Sequence, residues 1–162
     1  MLTYRQIRKL VRGFTDKQIV EQTEQLKLGP GFWSNGVVAF FEETPAKLKG
    51  LDFIVVSDLA CRDAGVFVWP VELRGYATGH VYLKFVAPGP LSVWWVDARY
   101  VRAGLKRIGR SKRATAFSVA TVGHQEVLML TYKGRTVMLL ATFDMEEEED
   151  DWEWKLVNRE AR

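Results

Sequence analysis

Residues 93–108 read VWWVDARYVRAGLKRI, and the spacing of apolar residues changes within this stretch. Residues 93–96 are bulky and apolar, as is typical of a buried strand. After Asp97 the apolar residues recur at the spacing of one helix face, at Ala98, Val101, Leu105 and Ile108. The stretch therefore predicts a strand followed by a helix at about 97–108, with Asp97 as the N-cap because its carboxylate can accept a hydrogen bond from a free backbone N–H.

The opposite face of this helix is basic. Its cations, with those just after it, are Arg99, Arg102, Lys106, Arg107, Arg110, Lys112 and Arg113. A row of cations held by a buried apolar face can contact successive phosphates, so all seven are candidate DNA contacts. Solvation of an ordinary surface helix is the alternative interpretation.

Trp94 and Trp95 lie directly before the helix. Neighbouring side chains in a strand point to opposite faces, so both rings cannot enter the same core face. We expect one of them to meet a second layer, a partner or a ligand, and an exposed ring beside cations can stack on single-stranded bases. Core packing on both sides is the alternative.

Short runs rich in Val, Phe, Ile and Trp surround this stretch and predict strands. The candidates are residues 36–42, 51–57, 65–73, 80–86, 91–96, 114–122, 126–132 and 136–143. Lys133-Gly134 suits a tight turn between the last two. That hairpin, 126–143, is apolar on both faces and needs cover on both, either by burial within the domain or by contact in a homo-oligomer.

The N-terminal region has helical periodicity. Two helices are predicted, the first ending at Gly13, and the second capped by Thr15, with Leu26 in its apolar stripe, and ending at Gly29-Pro30-Gly31. The fold class is therefore α+β: two N-terminal helices, a mainly antiparallel sheet of about seven or eight strands, and one basic helix. We expect residues 1–144 to form a single domain and residues 145–162 an acidic, partly ordered C-terminal segment.

Charge divides the chain into a basic body and an acidic end. Residues 1–113 hold 18 Lys and Arg against 10 Asp and Glu, whereas residues 114–162 hold 5 against 10. The six consecutive acidic residues at 146–151 are expected to be solvated, and the segment 146–154 is a candidate site for a protein partner or for masking of the basic surface.

Several functional classes find little support in the sequence. No apolar run reaches the ~18–20 residues of a membrane span and no signal peptide is recognisable, so we expect a cytoplasmic protein without membrane contact. Cys61 is the only cysteine, and no phosphate-binding Gly-Lys-Ser/Thr loop is present. We expect no metal, no cofactor and no catalysis. A metal-dependent nuclease built on Asp63 and Glu72-Leu73-Arg74 remains an alternative, although Arg74 is a poor substitute for the lysine of such sites.

Residues 91–143 contain a strand, the helix VDARYVRAGLKRI and the strands RATAFSVATV, EVLMLTYKG and RTVMLLATF. This order resembles one subdomain of the DNA sliding clamps, over about a third of the chain. The resemblance implies that Arg99, Arg102, Lys106 and Arg107 face DNA while the sheet forms the outer shell and subunit contacts. The acidic run also resembles the tails of single-stranded DNA-binding proteins, although Lys155, Arg159 and Arg162 follow it here.

The functional hypothesis is a non-catalytic DNA-binding protein that binds single-stranded DNA as a replication or repair accessory factor. A clamp-like or virion-type structural subunit is the main alternative, and the nuclease is the third.

Overall fold

The computed structural model describes residues 19–20, 26–46, 53–76, 80–89, 92–108, 115–144 and 152–155, with residues 76 and 152–155 as backbone only. Eleven strands are present in this part of the chain. The first ten are β1 (Leu26–Gly29), β2 (Phe32–Ser34), β3 (Val38–Phe40), β4 (Phe53–Val55), β5 (Cys61–Tyr76), β6 (Val81–Val86), β7 (Val93–Asp97), β8 (Thr115–Val122), β9 (Gln125–Tyr132) and β10 (Arg135–Ala141). The helix α1 (Ala98–Ile108) follows β7, and β11 (Trp152–Lys155) is the last strand.

The strands form one continuous sheet in the order β4-β1-β2-β3-β10-β9-β8-β5-β6-β7. Every pairing between neighbours is antiparallel except that of β1 with β4. β5 joins two parts of the sheet, because its first half pairs with β8 and its second half pairs with β6 on one side and β11 on the other. After β10, the N–H of Phe143 donates to the carbonyl of Trp95 at 2.8 Å. The chain therefore returns from the middle of the sheet to β7 at its end.

Apolar residues are buried on both faces of the β9–β10 hairpin. On one face Leu128, Leu130, Met138 and Leu140 join the main core, which also contains the buried side of α1. On the other face Val127, Met129 and Leu139 form a second cluster with Ala39 and Ala120. Burial within this chain accounts for both faces, and the predicted subunit contact through residues 126–143 stays a prediction.

The predicted helix and its N-cap are confirmed, and so is the predicted hairpin turn between β9 and β10. The backbone N–H of Arg99 donates to Asp97 Oδ1 at 3.0 Å. The turn between β9 and β10 has positive φ at Lys133 (51°) and Gly134 (73°), as a two-residue turn of the mirror-image type requires. Gly104 lets α1 lie close to β9 and β10, because a Cβ there would lie 2.7 Å from Met138 Sδ and 3.0 Å from Leu130 Cδ2.

The N-terminal prediction needs correction. The structure does not support two helices: residues 1–18 and 21–25 lie outside the described residues, and only Ile19 and Val20 are seen as helical. Leu26 begins β1 and is not part of a helix. Pro30-Gly31 joins β1 to β2 through a positive φ of 78° at Gly31. The strand conformation is set by partners elsewhere in the chain, since β1 pairs with both β2 and β4.

The sheet has more strands than the seven or eight predicted. All eight predicted strands are present, and β1, β2 and β11 are additional: β1 and β2 lie where the sequence predicts the end of a helix and the turn after it, and β11 follows the acidic run. β11 pairs with β5, so part of the segment 145–162 belongs to the sheet, while residues 145–151 and 156–162 lie outside the described part. No helix in the described residues is long and apolar enough to cross a membrane.

Candidate nucleic-acid interface

α1 presents a narrow basic stripe on an otherwise buried helix. Seven of its eleven residues are buried: Ala98, Tyr100, Val101, Ala103, Gly104, Leu105 and Ile108. The remaining four are Arg99, Arg102, Lys106 and Arg107. The helix is thus fixed on the sheet, and its outward surface consists of cations.

Arg107 is held by the protein itself. Its Nε and Nη2 lie 2.9 Å from Glu42 Oε1, and its Nη1 donates to the carbonyl of Ala103 at 2.8 Å. Its guanidinium carbon lies 3.7 Å from the centre of the Phe40 ring, and the side chain is only 15% exposed. Arg107 therefore connects α1 to the β3 region, which leaves little of its charge for a phosphate.

Arg99 is also paired, but at the edge of the site. Its Nε and Nη2 donate to the two carboxylate oxygens of Asp97 at 3.1 and 2.8 Å. Its Nη2 also lies 3.4 Å from His80 Nδ1. The hydrogen bond to Asp97 raises the pKa of Arg99 despite partial burial, so the guanidinium stays charged.

Arg102 and Lys106 differ from these two arginines. Neither forms a hydrogen bond or ion pair with any other residue that the structure describes. Together with Arg99 they occupy positions i, i+3 and i+7, which share one helix face over roughly 10 Å. Among the cations of α1, Arg102 and Lys106 are the two that no described residue neutralises. Arg110, Lys112 and Arg113 lie outside the described residues and stay predictions.

The two tryptophans before α1 lie on opposite faces of β7. Trp95 is 6% exposed, and the guanidinium carbon of Arg74 lies 4.4 Å from its ring centre. Trp94 packs against the main core, and its Nε1 donates to Glu126 Oε2 at 2.7 Å. Since Trp95 is covered by protein, only Trp94 of this pair reaches solvent enough to meet a base.

The outer face of β5, β6 and β7 carries a cluster of rings and charges. By register it contains Glu72, Arg74, Tyr82, Lys84, Trp95 and Asp97. Arg74 Nε donates to Glu72 Oε1 at 2.7 Å, and Lys84 Nζ lies 3.9 Å from Glu72 Oε2. The Tyr82 ring meets Phe143 edge-on at 5.6 Å and stacks beside His80 at 6.4 Å. Burial raises the pKa of Tyr82, and the charge of Asp97 adds to the effect.

Sequence reasoning did not bring Phe143 or His80 into the site. Phe143 follows β10 and lies 61 positions after Tyr82 in the sequence, and its backbone bridge to Trp95 places it beside that ring. The sequence did contain a signal for the face on which these rings lie: Tyr82 and Lys84 alternate with apolar residues in β6, which is typical of a strand with one polar face.

The residues of the predicted nuclease site are far apart. Asp63 and Glu72 are nine residues apart in one strand, β5, which is on the order of 30 Å of extended chain. Asp63 Oδ1 accepts the N–H of Gly65, while Glu72 holds Arg74. In the described ranges no three His, Cys, Asp or Glu residues are grouped so that they could hold a metal ion. This geometry does not favour shared coordination of a cation.

No protein-family model, curated protein or solved structure matches this chain.

The candidate interface consists of the stripe Arg99, Arg102 and Lys106 on α1, which begins at the ring-bearing face of β6 and β7.

Proposed function

We propose that the protein is a non-catalytic DNA-binding protein that binds single-stranded DNA with little sequence preference, as an accessory factor in replication or repair. The observation that supports this is the placement of Arg102 and Lys106. Both extend from a helix whose opposite side is buried, and neither is neutralised by a described residue. Cations fixed in this way can neutralise phosphates without first losing an internal carboxylate partner.

The salt dependence of binding measures these contacts. Each phosphate contact on a single strand contributes about 0.7 to the slope of log affinity against log salt concentration. Replacing Arg102 and Lys106 together by Ala should therefore reduce the slope by about 1.4. The measurement is fluorescence anisotropy of a labelled oligothymidine at several salt concentrations.

A matched control separates local contacts from net charge. Lys133 and Arg135 are both exposed, at the β9–β10 turn and at the start of β10. The variant Lys133→Ala/Arg135→Ala loses the same two charges away from α1, and its slope should stay close to that of the wild type. Equal slopes in both double variants would place the binding surface elsewhere, and no binding by the wild type would reject the proposed function.

Arg107→Ala gives a second comparison. Because Arg107 is tied to Glu42 and Ala103, its loss should lower stability and change the salt slope little. A slope reduced as much as in the Arg102/Lys106 variant would show that Arg107 leaves Glu42 to contact DNA.

A structural assembly subunit is the second candidate, and β4 favours it. Phe53, Ile54 and Val55 are 48, 42 and 72% exposed, and in the described part of the chain β4 pairs on one side only, with β1. An apolar edge strand with free backbone groups can pair with another chain. Light scattering should then show an oligomer that Ile54→Lys converts to a monomer, whereas a monomeric wild type would contradict this candidate.

A further inference from the structure

We propose that the outer face of β6 and β7 is a base-stacking platform formed by Tyr82, Phe143 and His80. On this platform unpaired bases would stack, while the phosphates of the same strand follow Arg102 and Lys106 along α1. The inference rests on the proposed function and specifies where the bases, as distinct from the backbone, are bound.

The three rings lie together and reach solvent. Phe143 is 38% exposed, His80 is exposed and Tyr82 is partly so. The planes of Tyr82 and Phe143 meet at 77°, whereas those of Tyr82 and His80 are inclined by only 27°. Bases have aromatic faces of similar size, and an exposed ring can take one without reading its hydrogen-bonding edge.

The platform is held by the sheet. Tyr82 lies within β6, paired with Arg74 on one side and Asp97 on the other. Phe143 is fixed by its backbone hydrogen bond to Trp95, the residue whose ring is buried beneath Arg74. Rings fixed in this way lose little conformational freedom when a base stacks on them.

Lys84 and Arg99 are the partly exposed cations of this face, whereas Arg74 is buried against Glu72 and the Trp95 ring. The exposed fraction of the Lys84 and Arg99 side chains is 22% each.

Arg99 makes the platform and the helix stripe continuous. Asp97 ends β7 on the same face as Tyr82, and the Arg99 side chain turns back to Asp97 and to His80. From there the stripe continues outward through Arg102 and Lys106. A single strand crossing this boundary would place bases on the rings and phosphates on the helix. A duplex keeps its base faces stacked inside, so the platform favours unpaired nucleic acid.

The test compares a ring deletion on two probes, an oligothymidine and an abasic oligonucleotide of equal length. Phe143→Ala should weaken binding of the oligothymidine roughly 5- to 150-fold, the effect of losing one stacked base. The same change should leave binding of the abasic probe and the salt slope nearly constant, because no phosphate contact is lost. Phe143→Trp keeps a ring and should retain most of the affinity.

Phe67→Ala is the matched control. Phe67 is 64% exposed and lies on the half of β5 that pairs with β8, so its removal deletes a similar exposed ring away from the platform. Its affinity for oligothymidine should equal that of the wild type. Circular dichroism of each variant verifies that the fold is retained.

The outcomes distinguish this inference from the proposed function. A wild type that binds oligothymidine while Phe143→Ala and Phe67→Ala bind equally well overturns the platform and leaves the DNA-binding proposal in place. Equal loss on both probes in Phe143→Ala also overturns it, because stacking requires a base. A wild type that binds neither probe rejects both proposals.

Discussion

Asn35→Ala should be among the most destabilising single substitutions in this chain, because Asn35 joins three segments through four hydrogen bonds. Its Oδ1 accepts the backbone N–H groups of Val37 and Val38, both at 2.9 Å. Its Nδ2 donates to the carbonyl of Ile19 at 2.8 Å and to Tyr100 Oη at 3.1 Å. The residue is 1% exposed, so water cannot readily replace these partners.

The expected magnitude follows from these contacts. A hydrogen bond contributes about 0.5–1.5 kcal/mol net, and a buried group left without its partner costs about 1–3 kcal/mol. Losing four bonds at a fully buried position should lower the free energy of unfolding by about 3–5 kcal/mol, after partial relaxation of the β2–β3 turn. That is a large share of the stability of a domain of this size.

Urea denaturation followed by tryptophan fluorescence and circular dichroism measures the change. Ser34→Ala is the neighbouring control, because Ser34 is also buried but its hydroxyl accepts only one described bond, from the N–H of Gly36 at 3.0 Å. It should cost about 1 kcal/mol. Tyr100→Phe should cost less in the Asn35→Ala background than in the wild type, because the hydrogen bond between the two side chains is already lost there. If Asn35→Ala were no more destabilising than Ser34→Ala, the reasoning that Asn35 connects these segments would be wrong.

Two further predictions concern the helix and the acidic run. Gly104→Ala should destabilise the protein by about 1 kcal/mol, since crowding against Met138 and Leu130 outweighs the gain in helix propensity. The cost should be smaller in the Met138→Ala background, where Leu130 Cδ2 at 3.0 Å remains, as urea denaturation would show. An equal effect in both backgrounds would contradict the close approach. Replacing the carboxylates of residues 146–151 by amides should tighten binding of oligothymidine at low salt, with a gain that shrinks as salt rises, because a tethered acidic segment competes with DNA for the basic surface. Anisotropy titrations with the acidic peptide added in trans provide the control, and unchanged affinity at low salt would exclude masking.

The sequence by itself determined the elements whose signals are local. The bounds of α1 follow from the 3.6-residue spacing of its apolar residues and from Asp97. The carboxylate of Asp97 caps the helix by accepting the backbone N–H of Arg99, two residues later. The Lys133-Gly134 turn follows from residues that tolerate positive φ. The eight predicted strands follow from runs of bulky apolar residues. In each case the deciding interactions lie within a few positions along the chain.

The tertiary structure decided what depends on distant partners. Leu26 lies in a strand because it pairs with Phe53 of β4, while the residues that follow it in β1 pair with both β4 and β2. Arg107, identical in type to Arg102, differs in role because Glu42 reaches it from sixty-five residues away. Phe143 joins Tyr82 only because the chain returns to β7 after β10. The type of a residue and its spacing in the sequence determine which contacts it can make. Whether its charge or ring stays available to a ligand depends on which neighbours the folded chain places beside it.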